Sequence, residues 1–428
     1  MSVSKIWNTL FLEERPSIGL SFFRIAVVLT TGFHVIPSFF HLDDNYLSTA
    51  FKSLNGQFFT PDVLELVQKS PDALVIGFVG LFIISWFFFL IGLFSQVSCI
   101  IMTFCCYYFY ALNDFQIGTL SWDILLVILF LMCLTPYHGD YFSVDVLRRR
   151  DPQAYQRHRP FFLQRLLQLQ IASTFFYTAL YKISAEGNWL HGNPVYYLMN
   201  YPPGGVTKYF LFKEWMAVHP AFCYWTGIFI LCVEFALPFL LFCPYTRRSA
   251  IMMGIFFHVV LLLTLDVPAI FFFLFPAQML LFIHPQHELN WINRQRGLNA
   301  SSARFKVIYD GHCGFCQQSV QQLKAMDLFN RCDYVDYQTA SHLEQLHSSL
   351  DKRIAASQLH LITPDGRIYS GFFAFRQMGW LMPMMVPLLL LMYLPTADWI
   401  GPTVYRWIAN NRYLFHFHRA CKDNRCLR

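Results

Sequence analysis

The stretch ALVIGFVGLFIISWFFFLIGLF, residues 73–94, decides the fold class of most of this chain. Its 22 residues include no charged side chain, and a helix of about 20 apolar residues crosses the hydrocarbon core of a bilayer. The whole chain of 428 residues is similar in character, with 55% hydrophobic residues and a mean hydropathy of +0.38. Only 14% of its residues are charged, against about 25% in soluble domains. These values predict a polytopic membrane protein, with the lipid bilayer and not a nucleic acid as its partner.

Apolar stretches that could span a membrane recur through the first two thirds of the chain and predict about eight transmembrane helices. The predicted spans are 18–40, 72–94, 97–112, 119–136, 162–182, 221–243, 249–266 and 269–283. Arginines cluster at 148–150, after the fourth span, and at 247–248, after the sixth, and such clusters stay in the cytoplasm. With eight spans, both clusters, the N-terminus and the C-terminal region fall on the cytoplasmic side. We therefore expect an integral protein of the inner or plasma membrane, with its C-terminal domain cytoplasmic.

After residue 303 the sequence changes to the pattern of a small α/β domain. Strands are predicted at Val307–Tyr309 and Tyr334–Tyr337, with a helix at Gln317–Met326 between them. A Pro-Asp-Gly turn at 364–366 then joins two further strands, 358–363 and 367–370. The predicted organisation is a membrane domain over 1–285, a linker over 286–304 and an α/β domain over 305–428.

The segment GWLMPMMVPLLLLMYLP, residues 379–395, is apolar but interrupted by Pro383 and Pro387. It is barely long enough to cross a bilayer. It therefore predicts packed helices of the α/β domain or a surface that rests on the membrane. The alternative is a ninth span, which would move the C-terminus to the outer side.

The sequence GHCGFC, residues 311–316, places a C-x-x-C pair between a predicted strand and a predicted helix. The N-terminus of a helix has unpaired N–H groups and a favourable dipole, so it favours a thiolate at Cys313. Cys313 is the predicted nucleophile. Cys316, one turn later, can form a disulfide with it, which is the chemistry of thiol-disulfide exchange.

A zinc site is the alternative interpretation of these cysteines. The C-terminus carries further ligands of the types that zinc prefers, either as a separate site or combined with the first pair. These are His416, His418, Cys421 and Cys426. Cys421 and Cys426 could instead form a second dithiol that passes electrons to the first, or be inert.

Residues 305–428 resemble the DCC family of predicted thiol-disulfide oxidoreductases, named for an Asp-Cys-Cys motif. Asp310, Cys313 and Cys316 in YDGHCGFC supply that motif, and the runs 369–374 and 405–413 resemble its later parts. The resemblance implies a thioredoxin-like fold and a protein partner that carries a thiol or a disulfide. It also implies that Asp310 assists proton transfer near the dithiol.

Ionisable residues inside the predicted spans are costly and are therefore functional candidates. They are Arg24, His34, Asp123, Lys182, Glu234, His258 and Asp266. One interpretation is that Arg24, Asp123 and Glu234 satisfy one another between helices. Lys182, at the outer end of the fifth span, could extend to the interface. Held in a dry pocket, it could instead act as a base.

The membrane half resembles the HTTM domain, which vitamin K-dependent γ-glutamyl carboxylases share. The resemblance rests on Ser143–Asp145, Leu167–Gln170, Tyr177–Ile183 and Trp189–Gly192, with Arg24, Glu234 and Phe257–His258. It covers residues 15–285. It implies that Lys182 is the base that deprotonates reduced vitamin K, and that His258 belongs to the same site. A quinone or lipid pocket is thus expected, with His258, Trp189, Glu234 and Arg24 as the binding residues.

Three functions remain open from the sequence. The first is a membrane-anchored thiol-disulfide oxidoreductase whose membrane half binds a quinone or another lipid-soluble partner. The second is carboxylase-like modification of an exported peptide or lipid, with Lys182 as base. The third is a non-enzymatic scaffold or transporter. The predicted topology places the dithiol inside and Lys182 towards the outside, so direct electron transfer between them would have to cross much of the bilayer.

Overall fold

The computed structural model describes residues 3–52, 58–113, 120–149, 157–184, 186–200, 206–207, 210–266, 269–300, 304–340, 343–385, 388–389, 392–394 and 396–411. The chain forms two compact units. The first comprises residues 1–141 and 156–286, and the second comprises residues 142–155 and 287–428.

The first unit is helical, and a helix lies at each of the eight predicted spans. The helices are α1 (Ile18–Val35), α2 (Asp72–Ile91), α3 (Ser95–Leu112), α4 (Leu120–Met132), α5 (Phe162–Ile183), α6 (Pro220–Phe242), α7 (Arg247–Thr264) and α8 (Ala269–Met279). Within the described residues, five helical segments are long and apolar enough to cross a membrane: 18–45, α2, α3, α6 and α7. In hydrocarbon a helix satisfies its own backbone polar groups, which is why these apolar runs fold in this way.

The other three helices are shorter or more polar than the five. The apolar parts of α4 and α8 are short, and α8 contains Pro276. Helix α5 has 22 residues but includes Arg165 and Lys182. Its glutamines make hydrogen bonds to neighbouring elements, since Gln164 and Gln168 both donate to the Leu281 carbonyl, at 2.6 and 2.7 Å. Crossing by these three helices stays a prediction.

A buried carboxylate joins the start of the first unit to the segment that leads into α5. Strand β1 (Glu14–Pro16) pairs antiparallel with β2 (His158–Pro160). Asp140 is buried beside this strand pair and accepts hydrogen bonds from Arg159 at 2.7 and 3.0 Å and from Ser17 at 3.1 Å. Arg157 lies 3.7 Å away. The charge of Asp140 is therefore neutralised where it is buried.

The second unit contains a four-stranded mixed sheet. Its strands are β3 (Phe305–Tyr309), β4 (Cys332–Asp336), β5 (His360–Ile362) and β6 (Ile368–Ser370), in the order β4-β3-β5-β6. Strands β3 and β4 are parallel, whereas the β3–β5 and β5–β6 pairs are antiparallel. Because successive side chains of a strand point to opposite faces, Val307 and Ile308 enter two different apolar clusters, one on each face. This confirms the predicted α/β class.

Helices cover the sheet and lead into it. They are α9 (Pro285–Ala300), α10 (Gly314–Met326), α11 (Lys352–Ser357), α12 (Phe372–Leu381) and α13 (Ala397–Asn410). Helix α10 is the connection between the parallel strands β3 and β4. Helix α9 occupies most of the segment 286–304, which was expected to be a linker.

The apolar segment 379–395 contributes to the core of the second unit. Its described residues include the end of α12 and a short 3₁₀ helix, Pro383–Met385. Met382 and Met385 are buried against Val307 and Leu361 of the sheet. This favours the packed helices of the prediction over a ninth span.

We expect replacement of Asp140 by Ala to lower the free energy of unfolding by about 3 kcal/mol, because a buried ion pair that loses one partner leaves the other uncompensated. The measurement is thermal unfolding of the purified chain in detergent. Glu65→Ala is the matched control, because Glu65 pairs with Lys69 at 2.6 Å on an exposed surface, where ion pairs contribute little. Equal melting temperatures for the two variants would contradict this assignment.

Candidate functional site

The dithiol lies where β3 ends and α10 begins. Cys313 is the N-cap of α10, and its Sγ accepts a hydrogen bond from the Cys316 N–H at 3.4 Å. This confirms the predicted position at a helix N-terminus. Cys313 and Cys316 are not joined in a disulfide, and their exposure differs: Cys313 is only 3% exposed, whereas Cys316 is partly exposed. Cys316 is thus the more accessible sulfur.

Two carboxylates hold the loop that precedes Cys313. The Asp310 Oδ1 accepts the His312 N–H at 3.0 Å. The Asp336 Oδ1, at the end of β4, accepts the N–H groups of Gly311 and Gln338, both at 2.9 Å. A Cβ at Gly311 would lie 2.1 Å from Asp336 Oδ2, so a larger residue here would displace the Asp336 carboxylate.

Asp336 was missed in the sequence analysis. It is the next-to-last residue of the predicted strand Tyr334–Tyr337, and the carboxyl ends of adjacent parallel strands meet at one edge of a sheet, which is where open α/β sheets bind ligands. That rule could have placed Asp336 beside Gly311. Burial, together with this carboxylate, raises the pKa of the Tyr309 hydroxyl, so Tyr309 stays protonated and can donate a hydrogen bond.

A cavity of about 630 Å³ opens beside the dithiol, and Cys316, Asp310 and Tyr309 lie in its wall. Most of the wall is apolar and comes from α10, α12 and α13. Its apolar side chains include Phe315, Phe372, Phe375, Ile400, Val404 and Ile408. The i, i+4, i+8 spacing of the last three residues puts them on one face of α13. We call this space the dithiol cavity.

In the membrane unit the structure brings together three of the predicted residues. Lys182 Nζ lies 2.6 and 2.5 Å from the two oxygens of Glu234, and 4.6 Å from the centre of the Trp189 ring. The side chains of Lys182 and Glu234 are only 20% and 9% exposed. A Cβ at Gly187 would lie 2.2 Å from the Tyr181 carbonyl oxygen, so glycine allows the tight turn that returns Trp189 to the end of α5.

This pair corrects one expectation about the charges in the membrane unit. Glu234 pairs with Lys182, not with Arg24 and Asp123 as one interpretation had it. Lys182 turns to Glu234 at the end of α5, and its extension to the interface stays a prediction. Arg24 is fully buried in α1 and donates to the His138 carbonyl at 3.0 Å.

His258 lies at another level of the membrane unit. Its Nδ1 is 2.8 Å from the Gly254 carbonyl oxygen, and its ring stacks on Phe275 at 4.9 Å. It also contacts Phe175, which precedes Lys182 by seven residues in α5, a rise of about 10 Å. His258 and the Lys182–Glu234 pair are therefore two helical turns apart along α5.

The membrane unit also has an apolar groove of about 720 Å³ between α4, α5 and α6. Its described lining includes Val127, Leu131, Leu169, Phe176 and Phe239. The predicted binding residues Arg24, Lys182, Trp189, Glu234 and His258 are not part of that lining. The expected quinone pocket around them stays a prediction.

The zinc alternative falls largely on residues that the structure leaves undescribed, since His416, His418, Cys421 and Cys426 all lie beyond residue 411. Within the described part of the chain, no three His, Cys, Asp or Glu side chains are grouped as a metal site would require.

Fold and site together define a multi-span membrane protein with a C-terminal α/β unit that presents a dithiol at the N-terminus of a helix. The family model of the HTTM domain matches residues 14–287, which is more than half of the sequence. The chain therefore belongs to the HTTM domain family. The model of the DCC1-like thiol-disulfide oxidoreductases matches residues 307–417, so the C-terminal domain is of this kind. No curated protein and no solved structure matches the chain.

Both family matches confirm the resemblances that the motifs indicated. The HTTM match begins before α1 and ends in α9, and the DCC1-like match begins within β3 and includes the dithiol and α13. The chain is thus an integral membrane protein with a DCC1-like thiol-disulfide oxidoreductase domain.

We expect a double-mutant cycle to detect the Lys182–Glu234 pair. Lys182→Met and Glu234→Leu should each lower the melting temperature in detergent, because each leaves an unpaired charge in an apolar environment. The double variant should lose less than the sum of the two, with a coupling free energy of about 1–3 kcal/mol. Additive losses would show that the two side chains do not interact.

Proposed function

We propose that this membrane protein catalyses thiol-disulfide exchange through Cys313 and Cys316. The observation that carries the proposal is the position of Cys313 as the N-cap of α10, with its sulfur accepting the Cys316 N–H. A sulfur held there is stabilised as the thiolate. The partly exposed Cys316 is placed to meet the partner.

Cys316 and Cys313 have different roles in the proposed exchange. The Cys316 thiolate attacks a partner disulfide, so that one S–S bond breaks, a mixed disulfide forms and one partner sulfur leaves as a thiolate that takes a proton. The Cys313 thiolate then attacks Cys316 Sγ, and the second partner sulfur leaves as a thiol. The partner disulfide is reduced to two thiols, and the protein dithiol is oxidised to a disulfide. The sequence predicted Cys313 as the nucleophile toward the partner; this proposal gives that attack to the more exposed Cys316 and the second attack to Cys313.

Asp310 is proposed to move protons during this cycle, as the family resemblance implied. Its carboxylate follows β3 directly, and both it and Cys316 line the dithiol cavity. It also accepts the His312 N–H, which fixes the carboxylate near the helix N-terminus. A carboxylate there can take the proton of a thiol as that thiol attacks.

The orientation proposed is that of the charge pattern, with the dithiol domain in the cytoplasm of an inner or plasma membrane. In this orientation the arginine clusters at 148–150, after α4, and at 247–248, after α6, both face the cytoplasm. Clusters of this kind are retained in cytoplasmic loops. A reducing compartment would keep both cysteines as thiols between turnovers.

A second candidate concerns the membrane unit and rests on the Lys182–Glu234 pair. Two charged side chains are retained inside an apolar unit, with Trp189 over the ammonium group, and such residues mark functional sites by default. A quinone or lipid site there, or carboxylase-like chemistry with Lys182 as base, would fit the HTTM resemblance. Because both oxygens of Glu234 engage Lys182, a base role requires that this pair opens.

Mixed-disulfide trapping tests the proposed exchange. After reaction with glutathione disulfide, we expect Cys313→Ser to retain glutathione on Cys316, because the sulfur that would release it is gone. Cys316→Ser should retain at least tenfold less, since Cys313 is buried. Peptide mapping by mass spectrometry measures glutathione on the 313–316 peptide, which separates it from the other cysteines.

The control for trapping is the Cys313→Ser/Cys316→Ser double variant, which should carry none on that peptide. More glutathione on Cys313 than on Cys316 would return the partner-binding role to Cys313. No adduct on either sulfur, in a chain that is folded and reduced, would refute the proposed exchange.

Labelling of intact cells with a membrane-impermeant maleimide tests the orientation. Leu211→Cys lies in the loop expected outside, and Tyr245→Cys lies in the loop expected inside; the parent residues are 90% and 97% exposed. We expect labelling above the parent chain for Leu211→Cys in intact cells, and for Tyr245→Cys only after permeabilisation. The reverse result would place the dithiol domain outside.

A further inference from the structure

The dithiol cavity is larger than thiol-disulfide exchange requires. Exchange needs only access to one sulfur, yet about 630 Å³ of space lies beside Cys316, a volume typical of sites for small organic ligands. Such a space beside a reactive thiol indicates a ligand that reacts there.

The residues that line the dithiol cavity favour an uncharged, apolar ligand. Among the described lining residues there is no Lys, Arg or His, and Asp310 is the only ionisable acid besides the thiol and phenol groups. Anionic groups such as phosphates and carboxylates are recognised by Arg, Lys or clusters of N–H donors. A phospholipid headgroup or an acidic metabolite would therefore find no partner in this part of the wall.

A peptide is also a poor fit, because the main-chain groups of Leu359, beside the cavity, already make hydrogen bonds within the protein. Extended peptides bind by pairing their main chain with an open strand. Here the Leu359 N–H, immediately before β5, donates to the Tyr405 hydroxyl at 3.1 Å. The Leu359 carbonyl accepts the Gly371 N–H at 2.9 Å. Leu359 thus has neither main-chain group available for a peptide.

The surface around α13 suits a ligand that comes from the membrane. Ile400 and Val404 line the cavity and are about half-exposed, so the cavity is open along this helix. Trp399 and Trp407 on α13 are 81% and 59% exposed, and Trp380 on α12 is 60% exposed. Exposed tryptophans of this kind are enriched where proteins meet the bilayer interface.

We propose that the dithiol cavity binds a quinone, which the Cys313–Cys316 dithiol reduces. This deepens the proposed function and rests on it, since the dithiol must be redox-active. A dithiol supplies two electrons and two protons, and quinones are uncharged, apolar compounds that accept two electrons and two protons. The site is in the C-terminal unit, separate from the residues around Lys182.

The step balances on the two sulfurs. The Cys316 thiolate adds to the quinone ring, a C–S bond forms, and one quinone oxygen takes a proton by way of Asp310. The Cys313 thiolate then attacks Cys316 Sγ. The S–S bond forms, the C–S bond breaks with its electron pair returning to the ring, and the second oxygen takes the second thiol proton. One quinone becomes one hydroquinone, and one dithiol becomes one disulfide.

The test follows oxidation of the reduced, detergent-solubilised full chain by decylubiquinone, with quinone absorbance and the 313–316 disulfide as readouts. We expect one quinone consumed per dithiol. Val404→Trp, which fills the cavity, should slow the reaction at least tenfold. Thr403→Trp is the matched control, because Thr403 is the neighbouring residue on α13 and is exposed outside the cavity lining; it should react as the parent does.

Protection of Cys316 from alkylation supplies a measurement that needs no change in the wall of the dithiol cavity. Decylubiquinone added to the Cys313→Ser chain should slow alkylation of Cys316 by iodoacetamide, whereas glutathione at the same concentration should not. If Val404→Trp fails to fold, this protection decides between the outcomes. No protection of Cys316 would overturn the proposal.

Further outcomes separate this proposal from the thiol-disulfide exchange proposed above and from a quinone site in the membrane unit. If the parent chain exchanges with glutathione disulfide but does not reduce decylubiquinone, the quinone proposal fails and the exchange stands. If the quinone reaction is lost in Lys182→Met and unchanged in Val404→Trp, the quinone site lies in the membrane unit and the proposal is overturned. Failure of exchange itself is read from the glutathione experiment alone.

Discussion

The cost of placing charge in an apolar environment is the constraint on which the membrane unit depends, and helix α5 shows how it is met. Asp140 and Arg159 pair just before α5 begins, and Lys182 pairs with Glu234 at its end. Between these pairs, the glutamines of α5 make hydrogen bonds to the segment around Leu281 and to α8. Each such bond between helices contributes about 0.6 kcal/mol. Directed contacts therefore hold α5 to its neighbours along its length as well as at its end.

The α/β unit has a different constraint: it must hold Cys313 at the N-terminus of a helix and keep Cys316 close to it. The parallel pair of β3 and β4 brings Asp310 and Asp336 to one edge of the sheet, and Gly311 passes close to the second carboxylate. This fixes the turn that leads into α10 and sets Cys313 at the cap. Cys316 then faces the open space between α10, α12 and α13. The loop geometry and the exposure of the two sulfurs thus have one cause.

The apolar cavity beside the dithiol bears on a question that the sequence left open, which is whether electrons pass between the dithiol and the membrane site around Lys182. The charge pattern predicts that the dithiol and Lys182 lie towards opposite sides of the bilayer, so electrons from a membrane pocket near Lys182 would have to cross much of it. A ligand that meets Cys316 within the C-terminal unit needs no such path. The membrane unit would then serve to keep the redox unit where apolar molecules are concentrated, and the Lys182–Glu234 pair would be free to have a separate role.

The sequence by itself determined the class of each part, because the signals involved are local. Long apolar runs identify membrane helices, and C-x-x-C between a strand and a helix places a sulfur at a helix N-terminus, whatever surrounds them. The partner of each ionisable side chain was not predictable: Glu234 could have met Arg24 or Lys182, which are 210 and 52 residues away in the sequence. Likewise, the dithiol cavity is built from segments between residues 309 and 409 that carry no shared motif. Only the tertiary structure decided these features, because they depend on which helix faces pack together, and that is a property of the whole fold and not of any one stretch.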